Sequence, residues 1–415
     1  MKNIAIMGFG FIGSGVADVL SENESVICRK IGESVNIKYL LDIKDLDSHP
    51  MADKLVRDIN IILDDPEIDL IVETLVGTSP AYEYSKAALE RGISVVTSNK
   101  AVVAKHGAEL LEIAAKTDAR YFFEASVGGG IPIIRPMYNC LAANKFDKIT
   151  GILNATTNFI LSKMASENLS FDAALKVAQD LGYAERDPSS DVEGFDTCRK
   201  ICILSALAFG RHLPPEKVYT EGITAVTLED IKNAEKIGCK IKLIAKSEKI
   251  DSGQSGASGD LRVIAAPMLV GKTSPLYAIE GVFNGVVVTG NASGDIMFYG
   301  SGAGKLATAS AVMADVIDAL MRSTKNICWD NNADGEFIRE YDNFAYYVRA
   351  GLNSKDLNDA FEAIERIFPD SDIHEANSRD EIFFTTATGA LAEKSEKTEA
   401  LSAAGLQIKS TIRML

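Results

Sequence analysis

The sequence predicts an α/β protein of two or three domains that opens with a parallel sheet. Three observations carry this. Short apolar runs alternate with helical patterns over residues 2–123, a glycine-rich turn follows the first of those runs directly, and after Gly128 the pattern shifts to strands separated by Gly and Ser clusters. Repeated strand and helix forces right-handed crossovers, and hence a parallel sheet. A chain of 415 residues also exceeds one ordinary core, since domains cluster near ~100–150 residues.

The elements follow in order. Residues 4–7, 37–41, 70–73, 94–97 and 120–123 read as strands; 15–20, 81–91 and 102–116 read as helices. Residues 148–154 then form a strand, 158–165 and 171–181 helices, and 191–209 one longer helix entered through a polar loop. Strands at 240–250, 261–269 and 286–289 suggest an antiparallel region, so the middle of the chain is a second, α+β domain. A helical run at 302–321 has an Ala-rich face suited to packing back on the first domain. Residues 331–335 read as a polar linker. Beyond it, strand, helix, strand and helix at 344–350, 356–367, 381–386 and 393–404 precede a last strand near 407–413. The expected domains are 1–130, completed by helix 302–322, then 131–301 and 336–415.

Composition bounds the function. Hydrophobic residues at 47% against 24% charged give a globular balance with enough apolar side chains for a core. A net charge of −15 disfavours nucleic acid and anionic membrane. No apolar run approaches the ~18–20 residues of a membrane span, and residues 1–7 read as a strand rather than a targeting signal, so a cytoplasmic protein is expected. The six cysteines lack zinc or disulfide spacing, and the four histidines form no ligand pair. Buried free thiols and no transition-metal catalysis are the expectation.

Gly8, Gly10 and Gly13 spell G-x-G-x-x-G between a strand and a helix. In that position the glycines make the turn, admit a pyrophosphate and let helix pack on strand, while the helix N-terminus favours the phosphates. A Rossmann-type sheet binding NAD or NADP is expected. Asp42 ends the second strand, where a carboxylate can bond a ribose 2′-hydroxyl, which favours NAD; it serves equally well as a loop cap, and Lys44 offers a phosphate partner. Ser98, Asn99 and Lys100 follow the fourth strand, at the sheet edge where such folds hold ligands.

Three further stretches sharpen the reading: EASVGGGIPI at 124–133, GILNATTNFIL at 151–161, and LGYAERDPSSDVEGFDTCRK at 181–200. With TSNKA at 97–101 and the glycine turn, the chain resembles the homoserine dehydrogenases over residues 2–321. That resemblance implies reversible NAD(P)H-dependent reduction of L-aspartate 4-semialdehyde to L-homoserine, on the route to threonine and methionine. It implies that Lys200 is the catalytic acid/base and Lys100 a second active-site lysine. Glu185 and Asp196 would be substrate carboxylates, with Tyr183, Asp187, Asp191 and Thr156 as further polar positions of the site. Nucleotide contacts would be Gly8, Gly10, Phe11, Ile12, Gly13, Asp42, Thr74, Ser98, Asn99, Lys100, Gly182 and Gly302. Sodium would bind main-chain oxygens of Glu124, Val127, Gly129 and Ile131. Ala155 replaces the family's usual glycine, and Leu41 stands where NADPH users often carry arginine. No aspartate kinase region precedes the motifs, which matches the monofunctional type.

The chemistry also has a reading of its own. Carbonyl reduction needs a proton donor for the oxygen that becomes an alkoxide, and a tuned lysine can serve. Asp196 and Lys200 stand four apart on a predicted helix, on one face, as an ordinary surface ion pair would. Glu185, Asp187, Asp191 and Glu193 crowd the preceding loop, and a substrate with an α-ammonium group needs such carboxylates. Residues 344–413 have the βαββαβ order of an ACT-like module; without the usual Asp-x-Pro-Gly in its first turn, a structural or dimerising role stands beside an amino-acid effector site. Residues 240–289 have too few neighbours to cover both sheet faces, so a homodimer or dimer of dimers sharing a sheet is expected. Another amino-acid dehydrogenase on the same scaffold, or a non-catalytic amino-acid sensor, remain the alternatives.

Overall fold

The computed structural model describes residues 1–46, 49–250, 260–323, 326–329, 337–338, 344–353, 355–389 and 394–415. The linker expected at 331–335 lies outside them. The N-terminal third contains β1 (Lys2–Met7), α1 (Phe11–Glu22), α2 (Glu24–Ile31), β2 (Val35–Leu41), β3 (Leu55–Val56) and α3 (Asn60–Leu63). Next come β4 (Leu70–Glu73), α4 (Ala81–Glu90), β5 (Ser94–Thr97), α5 (Lys100–Thr117) and β6 (Tyr121–Phe122). The strands pair in the order β3-β2-β1-β4-β5-β6, all parallel. This is the doubly wound Rossmann order, whose crevice opens where the strand order reverses, between β1 and β4.

Both faces of that sheet are buried, as parallel sheets require. Alternate residues of β1 divide between them. Ile4 and Ile6 join Val16 and Leu20 of α1, whereas Ala5 and Met7 join the cluster that contains Val102 and Leu110 of α5.

The middle of the chain holds β7 (Phe146–Ile152), α6 (Ala155–Glu167), α7 (Phe171–Asp180), α8 (Ser189–Val192), α9 (Phe195–Phe209), β8 (Tyr219–Thr220) and α10 (Leu228–Lys236). It continues with β9 (Cys239–Ile250), β10 (Asp260–Gly271), β11 (Phe283–Gly290), β12 (Gly294–Ser301) and α11 (Lys305–Met321). The pairs β12-β11, β11-β7, β7-β9 and β9-β10 are antiparallel, as expected. Helix α11 returns to the first sheet: Val312 and Val316 join the cluster of Ile4 and Ile6, and Lys305 pairs with Asp18 of α1 at 2.6 Å. The expected single helix over 191–209 is instead two. Gly194, at φ +82°, breaks it between α8 and α9, because a left-handed residue cannot continue a right-handed helix.

The C-terminal region has β13 (Phe337–Ile338), β14 (Tyr346–Gly351), α12 (Leu357–Ile367), β15 (Asp372–Glu375), β16 (Glu381–Thr385), α13 (Lys394–Ala403) and β17 (Gln407–Met414). From β14 onward this is βαββαβ, the element order of an ACT-like module, in strand order β17-β14-β16-β15. Strand β17 also runs parallel to β10, so the module extends the central sheet rather than standing apart. In consequence β9 and β10 are buried on both faces along most of their length within one chain. The premise that these strands need a partner subunit to cover them therefore fails; β12, exposed along much of its length at the sheet's edge, does not have that cover.

Candidate active site

The phosphate turn rests on close backbone approach. Gly8 adopts φ +89°, and a Cβ on Gly13 would lie 2.0 Å from the Gly8 carbonyl oxygen. Thr74 Oγ1 donates to that same carbonyl at 2.6 Å, tying the turn to the end of β4. Helix α1 begins at Phe11, earlier than the pattern suggested, with Gly10 as its cap and no acidic residue in its first turn. First-turn amides lack helical partners, so those of Phe11, Ile12 and Gly13 present donors at an end whose dipole favours an anion.

Asp42 braces the neighbouring loop. One carboxylate oxygen accepts from the Phe9 amide at 2.7 Å and the other from Lys44 at 2.9 Å. Arg57, which the sequence did not single out, donates to the carbonyls of Asp42 and Lys44 at 2.6 and 2.9 Å and also pairs with Asp45. A cation therefore sits beside the carboxylate at the end of β2. Asn99 caps α5 through its side-chain oxygen and donates to the Gly77 carbonyl at 2.7 Å. Ser98 donates its amide to the Glu73 carbonyl. Glu73 is a second residue the sequence reading passed over, although a lone charge ending the apolar run LIVE was a signal. It is buried, accepts from Thr97 Oγ1 at 2.5 Å and from the Leu75 amide at 2.7 Å, and burial pushes its carboxyl up to about 7.

The expected reactive residues gather on one carboxylate. Asp196, 2% exposed, lies in the first turn of α9; Lys200 follows one turn later, its Nζ 2.8 Å from Asp196 Oδ2. Lys100, which opens α5, brings its Nζ within 2.6 Å of Asp196 Oδ1. Lys200 also donates to the Leu153 carbonyl at 2.8 Å. Asn154 caps α6 and turns its Nδ2 toward Asp191 and Asp196, at 2.7 and 2.8 Å. This asparagine was quoted in the sequence motif but not assigned a role; only the tertiary contact reveals it.

Charge and burial oppose one another here. Burial would raise the Asp196 carboxyl, but the Lys200 and Lys100 ammonium groups outweigh it and hold it below the usual carboxylate range. Lys100 is raised by the Asp196 charge. Lys200 is lowered, chiefly by burial, even with Asp196 beside it. Asp191 is raised by burial and then by the charge of Asp196.

Other expected residues stand outside this cluster. Thr156 Oγ1 donates to the Tyr183 carbonyl at 2.7 Å, and the Tyr183 ring meets Phe159. Glu185 is exposed, and no contact among the described residues joins its carboxylate to Asp196. Asp187 accepts from Ser189. Gly182 takes φ +76° with open space where a Cβ would sit, whereas at Gly302 a Cβ would meet the Asn284 side chain at 2.2 Å. Ala155 begins α6 and is not among the positive-φ residues, so its methyl brings no backbone strain.

The loop after β6 commits its only carboxylate to the backbone: Glu124 accepts from the amides of Ile133, Ile134 and Arg135 at 2.6, 2.8 and 2.7 Å. The carbonyls of Val127, Gly129 and Ile131 accept no hydrogen bond among the described residues. A Cβ on Gly128 would lie 2.5 Å from the Ile131 oxygen. Such a donor set, neutral carbonyl oxygens on a glycine-rich bend, fits a hard monovalent cation rather than a transition metal. No cluster of three or more His, Cys, Asp or Glu suited to a metal occurs among the described residues, and none of their helices is long and apolar enough to cross a membrane.

A dinucleotide turn on a parallel sheet, with a buried carboxylate of the second region held between one lysine from each region, defines a nicotinamide-dependent dehydrogenase. The comparisons name which one. The family model for homoserine dehydrogenase matches residues 132–317, and that for the homoserine dehydrogenase NAD binding domain matches 8–124. The homoserine dehydrogenase of Synechocystis is 42% identical over 318 residues, 76% of this chain and 72% of that one. The crystal structure of a homoserine dehydrogenase from Thiobacillus denitrificans superposes with a TM-score of 0.89 at 32% identity, covering 100% of this chain and 98% of that one. A hyperthermophilic archaeal homoserine dehydrogenase in complex with NADPH has a TM-score of 0.65 at 29% identity, over 79% and 100% of the two chains. The chain belongs to the homoserine dehydrogenase family, and is an NAD(P)-dependent oxidoreductase of amino-acid biosynthesis. Neither alternative, another amino-acid dehydrogenase or a sensor, finds support in these matches.

Proposed function

We propose that Lys200 exchanges the proton on the substrate oxygen as L-homoserine and L-aspartate 4-semialdehyde interconvert, with Asp196 and Lys100 fixing its position and charge. The observation that carries this reading is the 2% exposed carboxylate of Asp196 held between two ammonium nitrogens at 2.6 and 2.8 Å. The nicotinamide, when bound, takes or gives the hydride. In oxidation, neutral Lys200 accepts the hydroxyl proton, and burial makes that neutral form accessible. In reduction, its ammonium donates to the developing alkoxide. Asp191 supplies negative charge for the α-ammonium group, joined by Glu185, Tyr183 and Thr156. Gly8, Gly10, Phe11, Ile12, Gly13, Thr74, Ser98, Asn99, Gly182 and Gly302 hold the nucleotide. Asp42, with leucine at position 41, favours NAD at least as strongly as NADP, and Arg57 is the group that would offset that preference.

Glu124, Val127, Gly129 and Ile131 would hold sodium through main-chain oxygens, stiffening the loop between the nucleotide and substrate regions. A homodimer is proposed through the open β12 edge, where Met297 and Tyr299 are exposed, in a reducing, cytoplasmic compartment consistent with six free cysteines. The C-terminal module takes a structural role, with an amino-acid effector as the other possibility. The test is direct: homoserine should drive reduction of both nucleotides when NAD and NADP are supplied separately. A kcat/KM for NADP more than ~tenfold that for NAD, ~1.4 kcal/mol, would overturn the stated preference, and no turnover of homoserine with either would overturn the function.

A further inference from the structure

The last strand of the chain reaches the segment that seats the reactive helix, through an ion pair. Strand β10 is paired with β9 along one edge; along the other, β8 and β17 take successive stretches in parallel, Tyr219 and Thr220 opposite Ile264 and Ala265, Arg413 and Met414 opposite Met268 and Leu269. Where the two strands meet, Arg413 Nη1 donates to Glu221 Oε2 at 2.8 Å. The guanidinium lies 4.4 Å from the centre of the Tyr219 ring, and the Tyr219 hydroxyl donates to the same Glu221 oxygen at 2.9 Å. The Arg413 side chain is 10% exposed and that of Glu221 36%, so the pair is shielded on the arginine side and open on the carboxylate side.

Glu221 in turn belongs to the segment on which the turn before α9 is seated. The Ile223 amide donates to the Val192 carbonyl at 2.8 Å, and a Cβ on Gly222 would lie 2.3 Å from that carbonyl and 2.6 Å from Glu193 Cα. A Cβ on Gly194 would meet the Glu221 carbonyl oxygen at 3.1 Å. Two glycines thus bring the backbones of 192–194 and 221–223 into direct contact. That turn joins α8, which carries Asp191, to α9, which carries Asp196 and Lys200.

We propose that Arg413 is a positioning residue for the candidate active site: by pairing with Glu221 it fixes the segment that seats the Val192–Gly194 turn, and so sets how the start of α9 presents the Asp196 carboxylate to Asn154, Lys100 and the Lys200 ammonium group. The proposal rests on the roles assigned above to Asp196 and Lys200. It gives the C-terminal module a mechanical part in the reaction, through a residue nearly a hundred positions beyond the last one matched by the family models.

The test uses the full chain carrying Arg413→Met, Arg413→Lys or Glu221→Gln, with Lys200→Met as reference. In Arg413→Met and Glu221→Gln, kcat/KM for homoserine should fall roughly fivefold to fiftyfold while the KM for nucleotide stays within about twofold. The rising limb of the oxidation profile should move to lower pH, because Lys200 loses part of the stabilisation of its charged form by Asp196. Arg413→Lys, which keeps the charge, should recover part of both effects. If Arg413→Met does not fold, Glu221→Gln decides alone. Unchanged kcat/KM in a folded variant overturns the proposal, and so does a loss of activity with the pH limb unmoved, which would mark a structural role only. If Lys200→Met itself keeps full activity, the assignment of Lys200 fails instead, whatever the Arg413 variants do.

Discussion

Lys200→Met removes the ammonium group and keeps most of the side chain's volume, so little packing is lost. Two partners feel the change. The Leu153 carbonyl loses a donor at 2.8 Å, and Asp196 retains Lys100 at 2.6 Å and Asn154 at 2.8 Å. A buried acceptor left unpaired costs ~1–3 kcal/mol, partly offset because an ammonium group no longer has to be buried. The folded variant should therefore survive with at most a modest fall in melting temperature. The rate should not: a positioned acid or base is worth ~10²–10⁴-fold, or ~2.7–5.4 kcal/mol of barrier. Nucleotide affinity should hold, since the proposed phosphate turn, Gly8–Gly13, makes no contact with Lys200. Steady-state oxidation of homoserine, with nucleotide binding followed by fluorescence, separates the two. The pH profile supplies the sign. Burial lowers Lys200 below the ordinary 10.5, so wild-type oxidation should rise with pH with a midpoint below that value, as neutral lysine accumulates. Reduction should decline over the same interval. Both limbs should disappear in the variant. A folded Lys200→Met protein with kcat within about threefold of wild type, and its pH limb intact, would refute the reasoning and pass the role to Lys100.

Two other perturbations probe the nucleotide side. Gly13→Ala places a methyl 2.0 Å from the Gly8 carbonyl, so the turn must open; nucleotide Kd by calorimetry should weaken at least ~tenfold, equivalent to ~1.4 kcal/mol, and an unchanged Kd would show that the turn yields without cost. Glu73→Gln removes a carboxyl whose folded value, about 7, exceeds its ordinary 4.5. A raised acid stabilises the fold below its unfolded value, and that contribution is lost as pH rises through the folded one. The glutamine variant should therefore gain stability relative to wild type between pH 5 and 8, by up to ~3 kcal/mol; urea melts at the two pH values that show no relative change would disprove it.

How much of this was legible in the sequence depended on whether the signal was local. Strands β4 and β5 match their expected bounds to the residue because each is an apolar run that must be buried on both faces. Strands β12 and β15 were passed over because neither contains a buried residue, which leaves no apolar pattern to read. Strand β3 is two residues long. The break at Gly194 was hidden because a single glycine inside a periodic stretch costs only ~1 kcal/mol as a helical residue and need not end a helix. In the site, Asp196 and Lys200 were visible through the 181–200 motif, since their spacing alone fits an ordinary surface ion pair, and Lys100 through its place at a strand's carboxyl edge. Asn154, the Leu153 carbonyl and Arg57 were not, because what matters about each is a partner 13 to 47 residues away. Glu185 shows the converse: a crowded acidic loop suggested a cluster, yet its side chain is exposed to solvent.

The arrangement also explains why two lysines on one carboxylate need not be equivalent. Lys100 has 42% of its side chain exposed, and the nearby Asp196 charge raises its affinity for a proton. Lys200 is 10% exposed, and there burial wins over the same carboxylate at nearly the same distance. Asp196 itself is held ionised by both. Over the neutral to alkaline range, then, Lys100 stays an ammonium and Asp196 a carboxylate, and the proton that can come and go belongs to Lys200. A group whose charge is locked can orient and stabilise but cannot cycle. The difference in burial between the two lysines, with the Leu153 carbonyl beside Lys200 and the open start of α5 around Lys100, is what would divide positioning from proton transfer in the proposed mechanism.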